Sequence, residues 1–171
     1  MSLFNHAEAP HHIGNLIFSI LLLFGRPAVA EASTSMPILR IETGMHNAII
    51  ERIGIDAQGK LLVTGSRDKT IRVWDINQGT LSRTIRPPIG SGHQGKIFAV
   101  DISPDGTLIA AGGTTQVSQG GAYCIYIFDQ MTGGLVQVID QLPDILYNIK
   151  FSPDGTRLAA GLDSGGLRVF Q

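Results

Sequence analysis

Cysteine is nearly absent from this chain of 171 residues: Cys124 stands alone. No internal disulfide can form, and no cysteine-built metal site is available. Charge is also scarce. Asp, Glu, Lys and Arg make up 16% of the residues and leave a formal net charge of -1. That balance gives no electrostatic footprint for nucleic acid or an anionic membrane surface. Tryptophan occurs once, as Trp74, and no Lys or Arg falls within residues 1–12. The apolar stretch at 16–24 is too short for a stable spanning helix, which needs about 20 residues. What is plentiful is glycine, at 21 residues. Frequent glycine with few charges suits many short strands joined by tight turns better than a helical bundle.

The N-terminal stretch stands apart. The apolar run 16–24 is followed by Gly25, Arg26, Pro27 and then Ala28-Val29-Ala30. An apolar core of this length ending in an Ala-x-Ala site reads as a secretory signal peptide over residues 1–30, cleaved after Ala30. The leading segment departs from the pattern, since only the amine, His6, His11 and His12 supply positive charge beside Glu8. The expected location is secreted or periplasmic, with no membrane attachment after cleavage. Residues 31–36 are small and polar and read as a linker.

The rest of the chain is organised around residues 61–75, LLVTGSRDKTIRVWD. Two runs rich in apolar and β-branched residues flank the polar turn 66–69, which is a β-hairpin signal. A strand candidate at 49–55 precedes the hairpin and a more polar one at 80–86 follows it. The pattern then repeats. Strand candidates at 97–102, 107–112, 124–129 and 135–139 form a second unit, and those at 145–151, 157–161 and 167–170 a third. The turn glycines Gly59, Gly106 and Gly155 are 47 and 49 residues apart. Insertions at 87–92 and 114–122 account for the excess over the ~40–45 residues of a four-stranded propeller unit. The Ser-Pro-Asp-Gly turns at 103–106 and 152–155 are chemically apt. Proline presets φ, aspartate bonds its own backbone, and glycine takes the positive φ that ends the turn.

With its Trp74-Asp75 close, the central hairpin resembles the WD repeat, the unit of the β-propeller. The resemblance covers residues 37–170 and implies an all-β fold of about three four-stranded antiparallel blades, an incomplete, open propeller. The partial propeller spans 37–171, with units at about 44–86, 92–140 and 144–171 and an outer closing strand at 37–42. The resemblance also implies a structural hydrogen-bonded set in the first unit, namely His46, Thr64, Asp68 and Trp74. The second unit keeps His93 but has Phe128 in place of tryptophan and no aspartate in its hairpin turn. The third has Phe170 at that place, with Asn148 or Asp144 as a poor substitute for histidine and Ser164 where the turn aspartate belongs. Apolar packing is expected to replace the hydrogen bonds there. The runs RIETGMHNAII (40–50), PPIG (87–90) and IYIFD (125–129) resemble the N-terminal WD-repeat region of secreted bacterial proteins, some of which carry a caspase-like peptidase domain.

No catalytic, cofactor or metal site is expected. His46 and His93 fit no metal spacing and read as loop histidines. Cys124, in an apolar strand, reads as an inert core thiol. Asp105 and Asp154 stand too far apart from other carboxylates for a calcium loop. Gly112-Gly113 and Gly120-Gly121 precede neither Lys-Ser/Thr nor a helix, so no phosphate cradle is expected. The function expected is a non-catalytic protein-interaction or scaffold module; the alternative is the propeller portion of a larger secreted enzyme such as a caspase-like peptidase. Candidate partner-facing residues are Arg67 at the hairpin tip and Ile89, His93, Thr114, Gln116 and Gln119 on the two long connections. Closed propellers have about 4–8 blades. Three therefore imply either a piece of a longer propeller or self-association of copies to close the ring. Expressed in a bacterium with a Sec pathway, the exported chain is expected to begin at Glu31; N-terminal sequencing that finds residues 1–30 retained on exported protein refutes the signal-peptide reading.

Overall fold

A computed structural model describes residues 44–116 and 121–171; the proposed signal peptide, linker and closing strand (1–42), and Gln119, lie outside the described residues. All regular structure there is β. Eleven strands form three antiparallel sheets: β1 (Ile50–Ile55) to β4 (Thr80–Ile85), β5 (Ile97–Ile102) to β8 (Leu135–Leu142), and β9 (Leu146–Phe151) to β11 (Leu167–Phe170). Within each sheet the strands follow chain order, so each sheet is a meander. The central hairpin pairs β2 (Leu61–Ser66) with β3 (Ile71–Asp75), setting Val63 against Val73. Its counterparts pair β6 (Leu108–Gly113) with β7 (Tyr123–Asp129), and β10 (Leu158–Leu162) with β11. The strand expected at 135–139 continues to Leu142, whose side chain is buried against the third sheet. Among the described residues the third sheet has three strands and the sheets do not close into a ring.

The turns between first and second strands work as their sequences predict, by two routes. In the second and third sheets the serine hydroxyl donates to the aspartate two residues on, Ser103 to Asp105 and Ser152 to Asp154. The same serine oxygens accept the N–H of Leu108 and Arg157 at 2.9 Å. The Ser152 hydroxyl and the Thr156 N–H together hold the Asp154 carboxyl down at about 2. In the first sheet Asp56 does both jobs, its Oδ1 accepting from the N–H groups of Lys60 and Leu61 at 2.8 and 2.9 Å. Gly106 and Gly155 stand at φ of 77° and 73°, where a side chain would be strained.

The sheets stack face to face. β5 lies against β1 and β2, and β9 lies against β5 and β6. The first joint buries Val63, Ile71 and Val73 against Val100, Ile109, Tyr126 and Phe128. The second buries Ile125 and Ile127 against Ile149, Leu158 and Ala160. Polar links fasten both joints. Asp101, itself buried, accepts from Lys150 Nζ and from the Phe151 N–H, both at 2.8 Å. The Ala57 N–H donates to the Pro104 carbonyl at 3.0 Å, joining two turns. Arg83 on β4 donates to the carbonyls of Met131 and Thr132 in the β7–β8 turn.

Gly65 shows how close the first joint is. A Cβ there would stand 2.7 Å from Ile97 Cγ2 and 3.1 Å from Val100 Cγ1. Gly65→Ala is therefore expected to lower stability by about 1–3 kcal/mol through overpacking. Chemical denaturation measures it, and an unchanged midpoint would place the two sheets farther apart than described.

Candidate functional site

The connection entering each sheet meets the hairpin turn between its second and third strands, so all three sheets share one loop end. Different residues make the tie in each sheet. In the first sheet it is polar and buried. His46 Nδ1 lies 2.8 Å from Asp68 Oδ2, and His46 Nε2 lies 2.8 Å from Thr64 Oγ1. The indole N–H of Trp74 donates to Thr64 Oγ1 at 3.0 Å. Donor chemistry fixes the direction of the series. An ionised carboxylate only accepts, so the Nδ1–H of His46 donates to Asp68, and in the neutral imidazole Nε2 then accepts from the Thr64 hydroxyl. The donors then run Trp74, Thr64, His46, with Asp68 as terminal acceptor. His46 and Asp68 side chains are 2% and 4% exposed, where an unpaired polar group costs about 1–3 kcal/mol.

Asp68 also accepts from the Asn47 N–H and from both the hydroxyl and the N–H of Thr70. Burial opposes its ionisation, but the bonds from Thr70 and His46 prevail and hold its carboxyl below the ordinary value. These bonds tie the entry loop at His46 and Asn47 to the hairpin at Thr64, Asp68 and Thr70.

In the second sheet His93 Nδ1 lies 2.9 Å from Lys96 Nζ. The entry loop is tied through its backbone, the Thr114 hydroxyl donating to the His93 carbonyl and the Gly95 N–H to the Thr114 carbonyl. Inside the hairpin the Thr115 hydroxyl donates to the Cys124 carbonyl, and the Tyr126 hydroxyl donates to the Gln116 carbonyl at 3.0 Å. Burial pushes the Cys124 thiol above its ordinary range. The third sheet corrects the expectation that packing alone serves there. Asp144 accepts from both the N–H and the hydroxyl of Ser164. The acid has moved to the entry loop and the hydroxyl to the turn, so the bond survives with its ends exchanged.

Arg67 is not the free tip residue that its position suggests. Its guanidinium pairs with Glu51 on β1 and lies 5.6 Å above the Phe98 ring on β5. Phe98 stacks in turn on Tyr147 of β9, centroids 5.6 Å apart and planes 13° apart. Glu51, Phe98 and Tyr147 hold the second position of each innermost strand. Stacking of the sheets therefore lines them up, and one continuous row crosses all three sheets at the loop end. Arg67 remains 46% exposed in its side chain and Tyr147 45% exposed. Ile89, exposed, stands nearby, where Lys69 Nζ donates to the Gly90 carbonyl at 2.8 Å. Sequence reasoning named Arg67 and Ile89 but missed Glu51, Phe98 and Tyr147. The signal was there in their equivalent positions in the three repeats.

At the opposite end, a cleft of about 450 Å³ is lined by Asp56, Asp75, Asp105 and Asp129 among others. Each of these carboxylates already accepts a local N–H: from Lys60, Gln78, Thr107 and Thr132 respectively. Among the described residues no group of three or more His, Cys, Asp or Glu is placed to hold a metal ion, and no helix is long and apolar enough to cross a membrane.

Residues 41–75 and 82–118 match the family described as WD domain, G-beta repeat. Among curated relatives, eukaryotic translation initiation factor 3 subunit I of Neosartorya fischeri is 31% identical over 115 residues, covering 67% of this chain and 30% of the relative. The same subunit of Scheffersomyces stipitis is 30% identical over 118 residues, covering 69% of this chain and 30% of the relative. A guanine nucleotide-binding protein subunit beta of Zea mays is 26% identical over 149 residues, covering 86% and 38%. The chain thus spans about a third of the length of the curated relatives it matches.

Asp68→Ala is expected to destabilise the first sheet by about 1–3 kcal/mol, because His46 and Thr70 lose their acceptor. The lowered carboxyl of Asp68 sets the pH sign. Its contribution is present above the unfolded carboxylate value of about 4 and fades as pH falls through the lower folded one. In the Asp68→Asn protein this part of the acid dependence should be missing. A thermal-unfolding series between pH 7 and pH 2 that superimposes for both proteins shows that the bonds are not made.

Proposed function

We infer that this chain, two stretches of which match the WD repeat, is a non-catalytic protein-interaction module whose partner docks on the loop end of the three sheets. The observation that carries this reading is the row Glu51–Arg67–Phe98–Tyr147. A guanidinium and a tyrosine, both half exposed on a rigid stack, are the residue types that dominate binding energy at protein interfaces. They sit on strand ends and a tied turn, so little order is lost on binding. The relatives lend support, since each is named as a subunit, a part of a larger assembly. Those names lend none to the alternative of a propeller portion serving a caspase-like peptidase.

We propose further that the module acts after export. The support is the apolar run 16–24 followed by Ala28-Val29-Ala30. The partner is then another exported or surface protein, and the long 87–96 connection with Ile89 and His93 flanks its seat.

A photo-crosslinking residue at position 147 tests the docking face in the source organism. One or a few discrete protein adducts are expected. They should fall at least tenfold with Arg67→Glu, while the unfolding temperature of that variant stays within a few degrees of the parent. Adducts that persist unchanged with Arg67→Glu place the partner elsewhere.

A further inference from the structure

We propose that the cleft at the turn end of the first two sheets binds the side chain of an arginine carried by a protein partner. The cleft lies between these two sheets and is separate from the loop end. Asp56 and Asp75 line it from the first sheet and its turns, Asp105 and Asp129 from the second. It holds about 450 Å³, against about 170 Å³ for the recess between the Ser-Pro-Asp-Gly turns of the second and third sheets. The observation that points to a ligand is Asp56. This residue is only 6% exposed, and its Oδ1 takes the N–H groups of Lys60 and Leu61. Its Oδ2 has no hydrogen-bond partner among the described residues. That oxygen faces Gly106 on the opposite wall, 3.7 Å from where a Cβ on the glycine would stand.

The second joint treats its buried carboxylate differently. Asp101, 1% exposed, is paired with Lys150 Nζ at 2.8 Å. Buried charges are ordinarily paired in this way. Among the described residues no cation does the same for Asp56. Lys60 lines the cleft without forming an ion pair, and Arg83 gives its guanidinium to the carbonyls of Met131 and Thr132. Shape then selects the cation. Among the described residues no three carboxylates are placed to hold a metal ion. A guanidinium is a planar fork that donates to carboxylates along two edges. Leu61 and Met131 give its aliphatic stem an apolar lining. A lysine ammonium is a compact point charge without that fork.

Titration of the full chain at physiological salt with a short blocked peptide, one arginine between glycines, tests this by amide NMR. Saturable shifts are expected at Lys60, Gly106 and Met131 and not at Phe98 or Thr114 of the loop end. Asp56→Asn keeps the Oδ1 acceptor of its turn and should weaken binding roughly tenfold or more, as loss of a charge-assisted hydrogen bond does. Asp105→Asn, at an exposed position, should do the same and decides the matter if Asp56→Asn does not fold. Asp163→Asn removes the same charge at the loop end and should change affinity by less than about twofold, since a distant exposed charge is screened. The peptide with citrulline in place of arginine, similar in shape but uncharged, should not bind. Absence of saturable binding, shifts confined to the loop end, an equal loss with Asp163→Asn, or binding of the citrulline peptide overturns the proposal.

Discussion

The structure depends on a single constraint: each of its sheets is apolar on both faces and can bury neither alone. A four-stranded meander places alternate residues on opposite sides, and here both sets are largely Val, Ile, Ala and aromatic. The second sheet, covered on both faces, is accordingly the most deeply buried; in β7 five consecutive residues from Cys124 to Phe128 are inaccessible to solvent or nearly so. Uninterrupted apolar strands of that kind are the mark of a sheet enclosed on both sides. The first and third sheets each keep one such face turned outward, where Ile53 and Val169 lie in the open. Exposed apolar area on this scale is a feature of interfaces rather than of free surfaces.

Close stacking then governs the polar groups. Bringing two sheets together leaves the turn ends in a half-dry crevice in which any unpaired donor or acceptor is costly. The chain meets this in three ways. The first sheet uses a chain of donors from Trp74 to Asp68. The second relies on threonine and tyrosine hydroxyls turned to backbone carbonyls. The third sets Asp144 against Ser164. The requirement common to all three is an entry loop fastened to a hairpin turn, and it leaves the identity of the fastening residues open. With the loops held in this way, a row such as Glu51–Arg67–Phe98–Tyr147 can form from residues 16 to 49 positions apart and still be rigid enough to serve recognition.

Strand order and turn chemistry were legible in the residues because both are local. The bounds of β5 and β11 coincide with their apolar runs, and the Ser-Pro-Asp-Gly turns form the bonds that their side chains offer. The His46, Thr64, Asp68 and Trp74 positions could be named from the WD-repeat resemblance, since they keep fixed offsets within one repeat. Less legible was the end of β8, where the run to Leu142 is decided by burial of that side chain against the third sheet. The seat of Arg67 was not legible, because its partners Glu51 and Phe98 lie outside its own hairpin.

By itself, then, the sequence determined the class, the meander order, the positions of the turns and the residues able to fasten the first loop. Each of these rests on interactions over a few residues or on a pattern carried within one repeat. Only the tertiary structure decided which residues of different sheets meet. The seat of Arg67 over Phe98, the Phe98–Tyr147 stack and the reach of Lys150 to Asp101 join residues 31 to 49 positions apart. Their meeting is set by how one twisted sheet comes to rest on the next, and that depends on the fit of two whole faces rather than on any stretch of chain.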